Sequence, residues 1–253
     1  MAGILVTGTD TGVGKTIVAC ALAAALVERG TRVAAWKPVE TGIEPGAEDS
    51  SDAALLARAA ACNASLDSVC TYRLRAPLAP AVAARLEGVV IDIARLGAAY
   101  RQHADRTDLV VIEGAGGLLV PLAGRTTYLD LARYLDVPIL VVAANRLGTI
   151  NHTALTARVA AAEGVRVAGF VLNHPLAPRS EGATAPPGTV PTVRDQSMAT
   201  NRDAIIEQTG LPCLGELPHV PDILAVLRSA GARLGLHLET AEILRAVGRG
   251  APR

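Results

Sequence analysis

Gly3-Ile-Leu-Val-Thr-Gly-Thr-Asp-Thr-Gly-Val-Gly-Lys-Thr16 decides the fold class. Gly3–Thr7 is a short run with the unbroken apolar character of a strand buried on both faces. A glycine-rich turn follows, and then an apolar helix predicted from about Gly14 to Arg29, with Gly30 suited to cap its carboxyl end. A strand feeding a Gly-Lys-Thr turn that opens a helix is the setting in which such a loop binds phosphate. Backbone amides converge on the phosphate oxygens, and the helix amino end adds partial positive charge. Lys15 is placed to reach the β- and γ-phosphates, and the Thr16 hydroxyl to reach Mg²⁺. The spacing departs from G-x-x-x-x-G-K-[ST]: the residue five before Gly14 is Thr9, and the glycine precedes it at Gly8, so the loop is one residue longer.

Working outward, strands and helices alternate. Strands are expected at Thr31–Trp36, Asp108–Ile112, Pro138–Ala143, Val167–Leu172 and Cys213–Leu217. Helices are expected at Ser51–Ala61, Pro80–Leu86, Asp92–Ala104, Tyr128–Leu135, Thr149–Glu163 and Met198–Gln208, with one or two more near the C-terminus. A polar loop is expected over Glu40–Ser51. This order implies a doubly wound, mostly parallel α/β sheet with helices on both faces. The 253 residues are expected to form one domain, with a surface loop at about 175–197 that has five prolines between Pro175 and Thr192.

Composition narrows the function. The net charge is formally zero, which provides no global field for nucleic acid or anionic membrane. No apolar stretch is long enough to span a bilayer and no secretory leader is visible, so a soluble cytoplasmic protein is expected. Cys20, Cys62, Cys70 and Cys213 form no C-x-x-C pair and are expected to be small buried thiols in a reducing compartment. The histidines show no metal-ligand spacing. Of the 24 basic residues only Lys15 and Lys37 are lysine. A compact ammonium suits a tight phosphate cradle better than the guanidinium fork, which gives both lysines a chemical reason.

Lys37 follows the Val33–Trp36 run and precedes Pro38, which places it at a strand's carboxyl end, on the rim of the phosphate loop. A cation there can hold a transferring phosphoryl group. Glu113 ends the buried Leu109–Ile112 run, where ligands of open α/β sheets bind, and Gly114, Gly116 and Gly117 let backbone approach a ligand closely. Asp52 reads equally as a metal-binding carboxylate or as an acid at a helix amino end.

Four segments in order resemble the dethiobiotin synthetase family: Thr7–Thr16, Lys37-Pro-Val-Glu-Thr-Gly42, Val111-Ile-Glu-Gly-Ala-Gly-Gly-Leu-Leu119 and Leu147-Gly-Thr-Ile-Asn-His152. The likeness covers about residues 3–220, and the longer phosphate loop is the family's own. The resemblance implies a P-loop ligase that uses ATP, Mg²⁺, CO₂ or bicarbonate, and 7,8-diaminononanoate. A carbamate of the diamine attacks the γ-phosphorus, and the second amine then closes the ureido ring and releases phosphate. It assigns Thr16, Asp52 and Glu113 to Mg²⁺, and Lys37 and Lys15 to catalysis. ATP contacts are implied for Gly12, Val13, Gly14, Lys15, Thr16, Ile17, Asp52, Glu113, Gly114, Ala115, Gly116, Asn173, His174, Pro218, His219 and Val220. Thr11, Lys37, Thr41 and Gly116 are implied around the diamine. Gly148, Thr149, Ile150 and Asn151 resemble a helix start that receives the diamine's distant carboxylate from a neighbouring subunit, which implies a homodimer. Gly12 stands where some members carry Glu, and Thr41 where some carry Ser. The rival reading, a partition- or septum-site ATPase, expects an additional lysine early in the loop, where this chain has Thr9, Asp10 and Thr11.

Overall fold

Strands that are apolar without alternation need cover on both faces, and the computed structural model shows how they obtain it. Residues 2–62, 64–174, 195–220, 232–235 and 237–248 are described. The strands are β1 (Gly3–Gly8), β2 (Val33–Glu40), β3 (Cys70–Arg73), β4 (Leu109–Gly117), β5 (Pro121–Ala123), β6 (Thr126–Thr127), β7 (Ile139–Ala144), β8 (Val167–Asn173) and β9 (Cys213–Leu217). Seven of them form one sheet in the order β3-β2-β4-β1-β7-β8-β9, with each pairing parallel. β5 and β6 form a small antiparallel hairpin beside it.

The helices are α1 (Lys15–Glu28), α2 (Asp52–Ala59), α3 (Leu66–Val69), α4 (Pro80–Leu86), α5 (Ile93–Ala104), α6 (Tyr128–Leu135), α7 (Thr149–Ala162) and α8 (Asn201–Thr209), with helical segments at Ala232–Gly235 and Thr240–Ala246. One core joins α1, α2 and Thr240–Ala246 to one face of the sheet through residues such as Leu22, Leu26, Leu56 and Leu244. The other packs α5, α6, α7 and α8 on the opposite face, through Leu96, Tyr100, Leu131, Ala160 and Ile205 around Trp36 and Phe170. Each fully buried Leu or Ile contributes roughly 1.5–3 kcal/mol. α1 is apolar all round because sheet, α2 and the Ala232–Gly235 segment surround it. No helix among the described residues is long and apolar enough to cross a membrane.

Several expectations are corrected. β2 runs on to Glu40, so Lys37 and Pro38 lie inside the strand, and Glu40 is a buried strand residue rather than the start of a polar loop. β4 likewise runs through Glu113 to Gly117. The edge strand β3, helix α3 and the β5–β6 hairpin were not expected from sequence, being two to four residues each, too short to show a period. The expected Met198–Gln208 helix splits into a 3-10 turn, Gln196–Ala199, and α8. Cys20 and Cys70 are buried, whereas Cys62 and Cys213 are only partly so. Of the expected 175–197 loop, residues 175–194 lie outside the described residues.

Candidate active site

The carboxyl ends of the strands share one rim, and the site assembles there. β1 ends in the phosphate loop, whose close turns depend on glycine. A Cβ on Gly8 would sit 2.7 Å from the Asp10 carbonyl oxygen and 3.0 Å from Lys15 Nζ. Gly14 has φ +101°, and a Cβ there would meet Asn173 Nδ2 at 2.2 Å. Asn173, at the end of β8, donates through Nδ2 to the Val13 carbonyl at 3.0 Å and so braces the loop from behind. Lys15 is buried and donates to the Asp10 carbonyl at 3.1 Å. Burial lowers its pKa, an effect that the Glu113 charge only partly offsets.

β4 lies next to β1, and the register between them breaks at the loop. Val6 pairs with Glu113 and Gly8 with Gly117, so β4 fits two extra residues into that span. The bulge bows Gly114-Ala115-Gly116 outward beside the loop. Gly116 has φ +65°, and its missing Cβ would lie 3.6 Å from Thr11 Oγ1. Glu113, 0% exposed, accepts through Oε1 from the Thr16 hydroxyl at 2.8 Å and from Lys37 Nζ at 2.7 Å.

β2 brings Lys37 to the same point from the other side of β4. Its ammonium also contacts Asp52 Oδ2 at 2.8 Å, at the first residue of α2. Asp52 is therefore an acid at a helix start, one of the two readings its sequence left open, and its carboxylate also joins the charged cluster. Burial works against the charge on Lys37, but Glu113, Asp52 and Glu40 together overcome it and hold its pKa well above the lysine norm. Burial pushes the Glu113 carboxyl up to about 7, against the pull of Lys37. Burial works to raise the pKa of Asp52, but Lys37, Thr16 and Lys15 together outweigh it and the pKa is lowered.

The remaining residues lie along the rim. Thr11 and Gly12 are exposed on the loop, Ile17 packs against the core from α1, and Thr41 follows β2 half-buried. Gly148 starts α7 in the left-handed conformation. The Thr149 N–H is taken by the Arg146 carbonyl at 3.1 Å. Those of Ile150 and Asn151 find no acceptor among the described residues. His174 follows Asn173, with its ring Nε2 3.2 Å from Asn145 Nδ2. Pro218, His219 and Val220 follow β9 at the end of the same rim.

Sequence reasoning missed three groups here. Glu40 caps the start of α2. Asn145 joins His174 to Asn201, whose amide donates to Asn145 Oδ1 at 2.8 Å. Arg146 lies 3.6 Å from Asp10 of the phosphate loop. Only Glu40 left a signal, a carboxylate inside Lys-Pro-Val-Glu-Thr-Gly. A cleft of about 440 Å³ borders the site between Thr9–Thr11 and Leu118–Pro121, with Leu155 and Val159 of α7 on its wall. A larger hollow of about 660 Å³, between α3 and α5, contains none of the site residues.

Comparison with known proteins identifies the family. A family profile described as "AAA domain" matches residues 2–226. The ATP-dependent dethiobiotin synthetase BioD of Anaeromyxobacter sp. (strain K) is 44% identical over 94% of this chain and 100% of its own length. That of Bacillus licheniformis is 40% identical over 88% of each chain. Among solved structures, the MinC:MinD cell division protein complex of Aquifex aeolicus superposes with TM-score 0.57 at 15% identity, covering 100% of this chain and 98% of that one. The septum site-determining protein MinD of Pyrococcus horikoshii, complexed with Mg-ADP, gives 0.52 at 18% identity, covering 96% and 95%. At these identities the structures establish the shared P-loop fold, while the sequence relatives extend over nearly the whole chain. With phosphate loop, two lysines and two carboxylates on one rim, the chain belongs to the family of ATP-dependent dethiobiotin synthetases, P-loop ligases of biotin biosynthesis.

Proposed function

We propose that the chain closes the ureido ring of dethiobiotin from 7,8-diaminononanoate and CO₂, or bicarbonate as its source, using Mg-ATP, as a cytoplasmic homodimer. The observation that carries this reading is the bonded cluster of Lys37, Thr16, Asp52 and Glu113 at the mouth of the phosphate loop, with Lys15 close enough to feel their charges. Glu113 Oε2 is buried with no hydrogen-bond partner among the described residues, as expected of a carboxylate built to face a cation. Among the described residues no group of three or more His, Cys, Asp or Glu is arranged to hold a metal. Two carboxylates and a hydroxyl instead suit Mg²⁺, which takes its remaining oxygens from phosphate and water. When bound, Mg²⁺ supplies charge neutralisation at the β- and γ-phosphates.

The chain's own groups do the rest. Loop amides and Lys15 hold the triphosphate. One amine of the diamine adds to CO₂ and loses a proton to solvent, giving the carbamate. Lys37 neutralises the carbamate and the phosphoryl group as the carbamate oxygen attacks the γ-phosphorus and ADP departs. The second amine then attacks the carbamoyl carbon, and phosphate leaves. The apolar cleft beside Thr11 suits the diamine's methylene chain, and the open N–H groups of Ile150 and Asn151 suit its carboxylate, delivered from the partner subunit. Phosphate release that requires both diamine and bicarbonate is the expected result. ATP turnover indifferent to both would rule the reading out, and sedimentation as a monomer at assay concentration would rule out the shared site.

A further inference from the structure

Glu40 closes β2 at 5% exposure, and the chemistry above leaves it unused. Its carboxylate reaches across to α2. Oε1 accepts the backbone N–H of Asp52 at 2.7 Å, and Oε2 accepts that of Ala53 at 3.0 Å. Ser51 Oγ accepts the next N–H, from Ala54, at 3.2 Å. The three free N–H groups of the first turn of α2 are therefore all held by side chains. Glu40 is itself anchored, because its carbonyl accepts the N–H of Leu74 at 2.9 Å.

The covalent route from Glu40 to Asp52 gives little definition by comparison. Residues 41–51 are mostly exposed, with left-handed glycines at Gly42 and Gly46 and one 3-10 turn, Glu48–Ser50. β2 therefore supplies both the Lys37 ammonium and, three residues on, the carboxylate that pins the helix carrying its counter-charge. We propose that Glu40 is a positioning residue: by clamping the first turn of α2 it sets Asp52 against Lys37 and shapes the half of the cation site that the phosphate loop does not provide. The proposal rests on the reading of Asp52 as a Mg²⁺ ligand. A carboxylate is required, since two acceptor oxygens face two N–H groups. An amide would turn its NH₂ toward one of them, and aspartate is one methylene short.

The test uses the full chain as wild type, Glu40→Gln, Glu40→Asp, Ser51→Ala and Asp52→Asn. One readout is the Mg²⁺ dependence of binding a non-hydrolysable ATP analogue, by calorimetry, and the other is hydrogen exchange at the amides of residues 52 and 53. Loss of a charge-assisted backbone bond predicts that Glu40→Gln raises the Mg²⁺ concentration for half-maximal binding about tenfold, with about tenfold faster exchange at both amides. Metal-free binding to the phosphate loop is expected to stay within about twofold, since that term arises from the loop amides. Glu40→Asp, which keeps charge but loses reach, is expected to follow Glu40→Gln. Wild-type Mg²⁺ curves for Glu40→Gln and Glu40→Asp alongside a shifted Asp52→Asn curve overturn the positioning role alone. An unshifted Asp52→Asn curve overturns the metal assignment, and the proposal with it. If Glu40→Gln does not fold, Glu40→Asp and Ser51→Ala decide. Ser51→Ala is expected to shift the curve in the same direction by less, and wild-type behaviour of both is a refutation.

Discussion

Replacing Glu113 by glutamine isolates the charge of the most enclosed acid in the site. Glu113 is 0% exposed, and burial raises its carboxyl from an ordinary 4.5 to about 7. Between those values the folded chain keeps a proton that the unfolded chain has released. The folded state then binds more protons, so stability falls as pH rises across that window. The contribution is fully present below pH 4.5 and lost as pH rises through about 7. At about 1.4 kcal/mol per pH unit, the 2.5-unit window corresponds to roughly 3 kcal/mol. Glu113→Gln cannot titrate, so its profile lacks this fall. The assay is urea unfolding of both proteins from pH 4.5 to 8.5, without nucleotide or divalent cation. The stability difference between them is expected to change by about 3 kcal/mol over that range, with wild type gaining toward acid. The same ionisation would favour a cation beside the Glu113 carboxylate, so the Mg²⁺ requirement of wild type is expected to ease as pH rises through 7. Parallel unfolding profiles would refute the account of Glu113 as a buried acid held near neutrality.

Three further substitutions probe the other members of the site. Lys37→Met, which keeps bulk and removes charge, is expected to abolish dethiobiotin formation while ADP still binds through the loop. Normal product formation, followed by chromatography, removes Lys37 from the chemistry. Gly14→Ala places a Cβ against Asn173 at a positive φ, and titration calorimetry is expected to show nucleotide affinity at least about tenfold weaker. Asn173→Ala removes the 3.0 Å bond to the Val13 carbonyl. It is expected to cost about 1 kcal/mol in denaturant unfolding, with weaker nucleotide binding in addition.

Much of the fold was legible because local sequence reports burial directly. Leu109–Ile112 and Ile139–Ala144 are apolar at every position and are buried at every position. Pro80 opens α4 at a position where its missing N–H costs nothing, and Thr127 with Asp130 forms a capping box at α6. The boundaries that failed were those where a strand continues into polar or glycine-rich residues. Lys37–Glu40 and Glu113–Gly117 are polar or glycine-rich, so composition marks them as loop, yet β3 pairs along the first and β1 pairs with both ends of the second, on either side of the bulge. β3 was invisible for a related reason: four residues alternate too few times to register as a period.

By itself the sequence determined the fold class, the phosphate loop and the identities of the charged groups. Each follows from short-range chemistry: which residues avoid water, where glycine is needed, which side chain fits a phosphate. The partnerships were decided by tertiary structure. Glu113 meets Lys37 across 76 residues and Thr16 across 97, and Asn173 supports Val13 across 160. Those contacts exist because β4 inserts between β1 and β2, and strand order is a property of the assembled sheet that no local pattern encodes. The role of Glu40 belongs to the same class, since a carboxylate and two backbone amides 12 and 13 residues away become a clamp only when β2 and α2 are packed together.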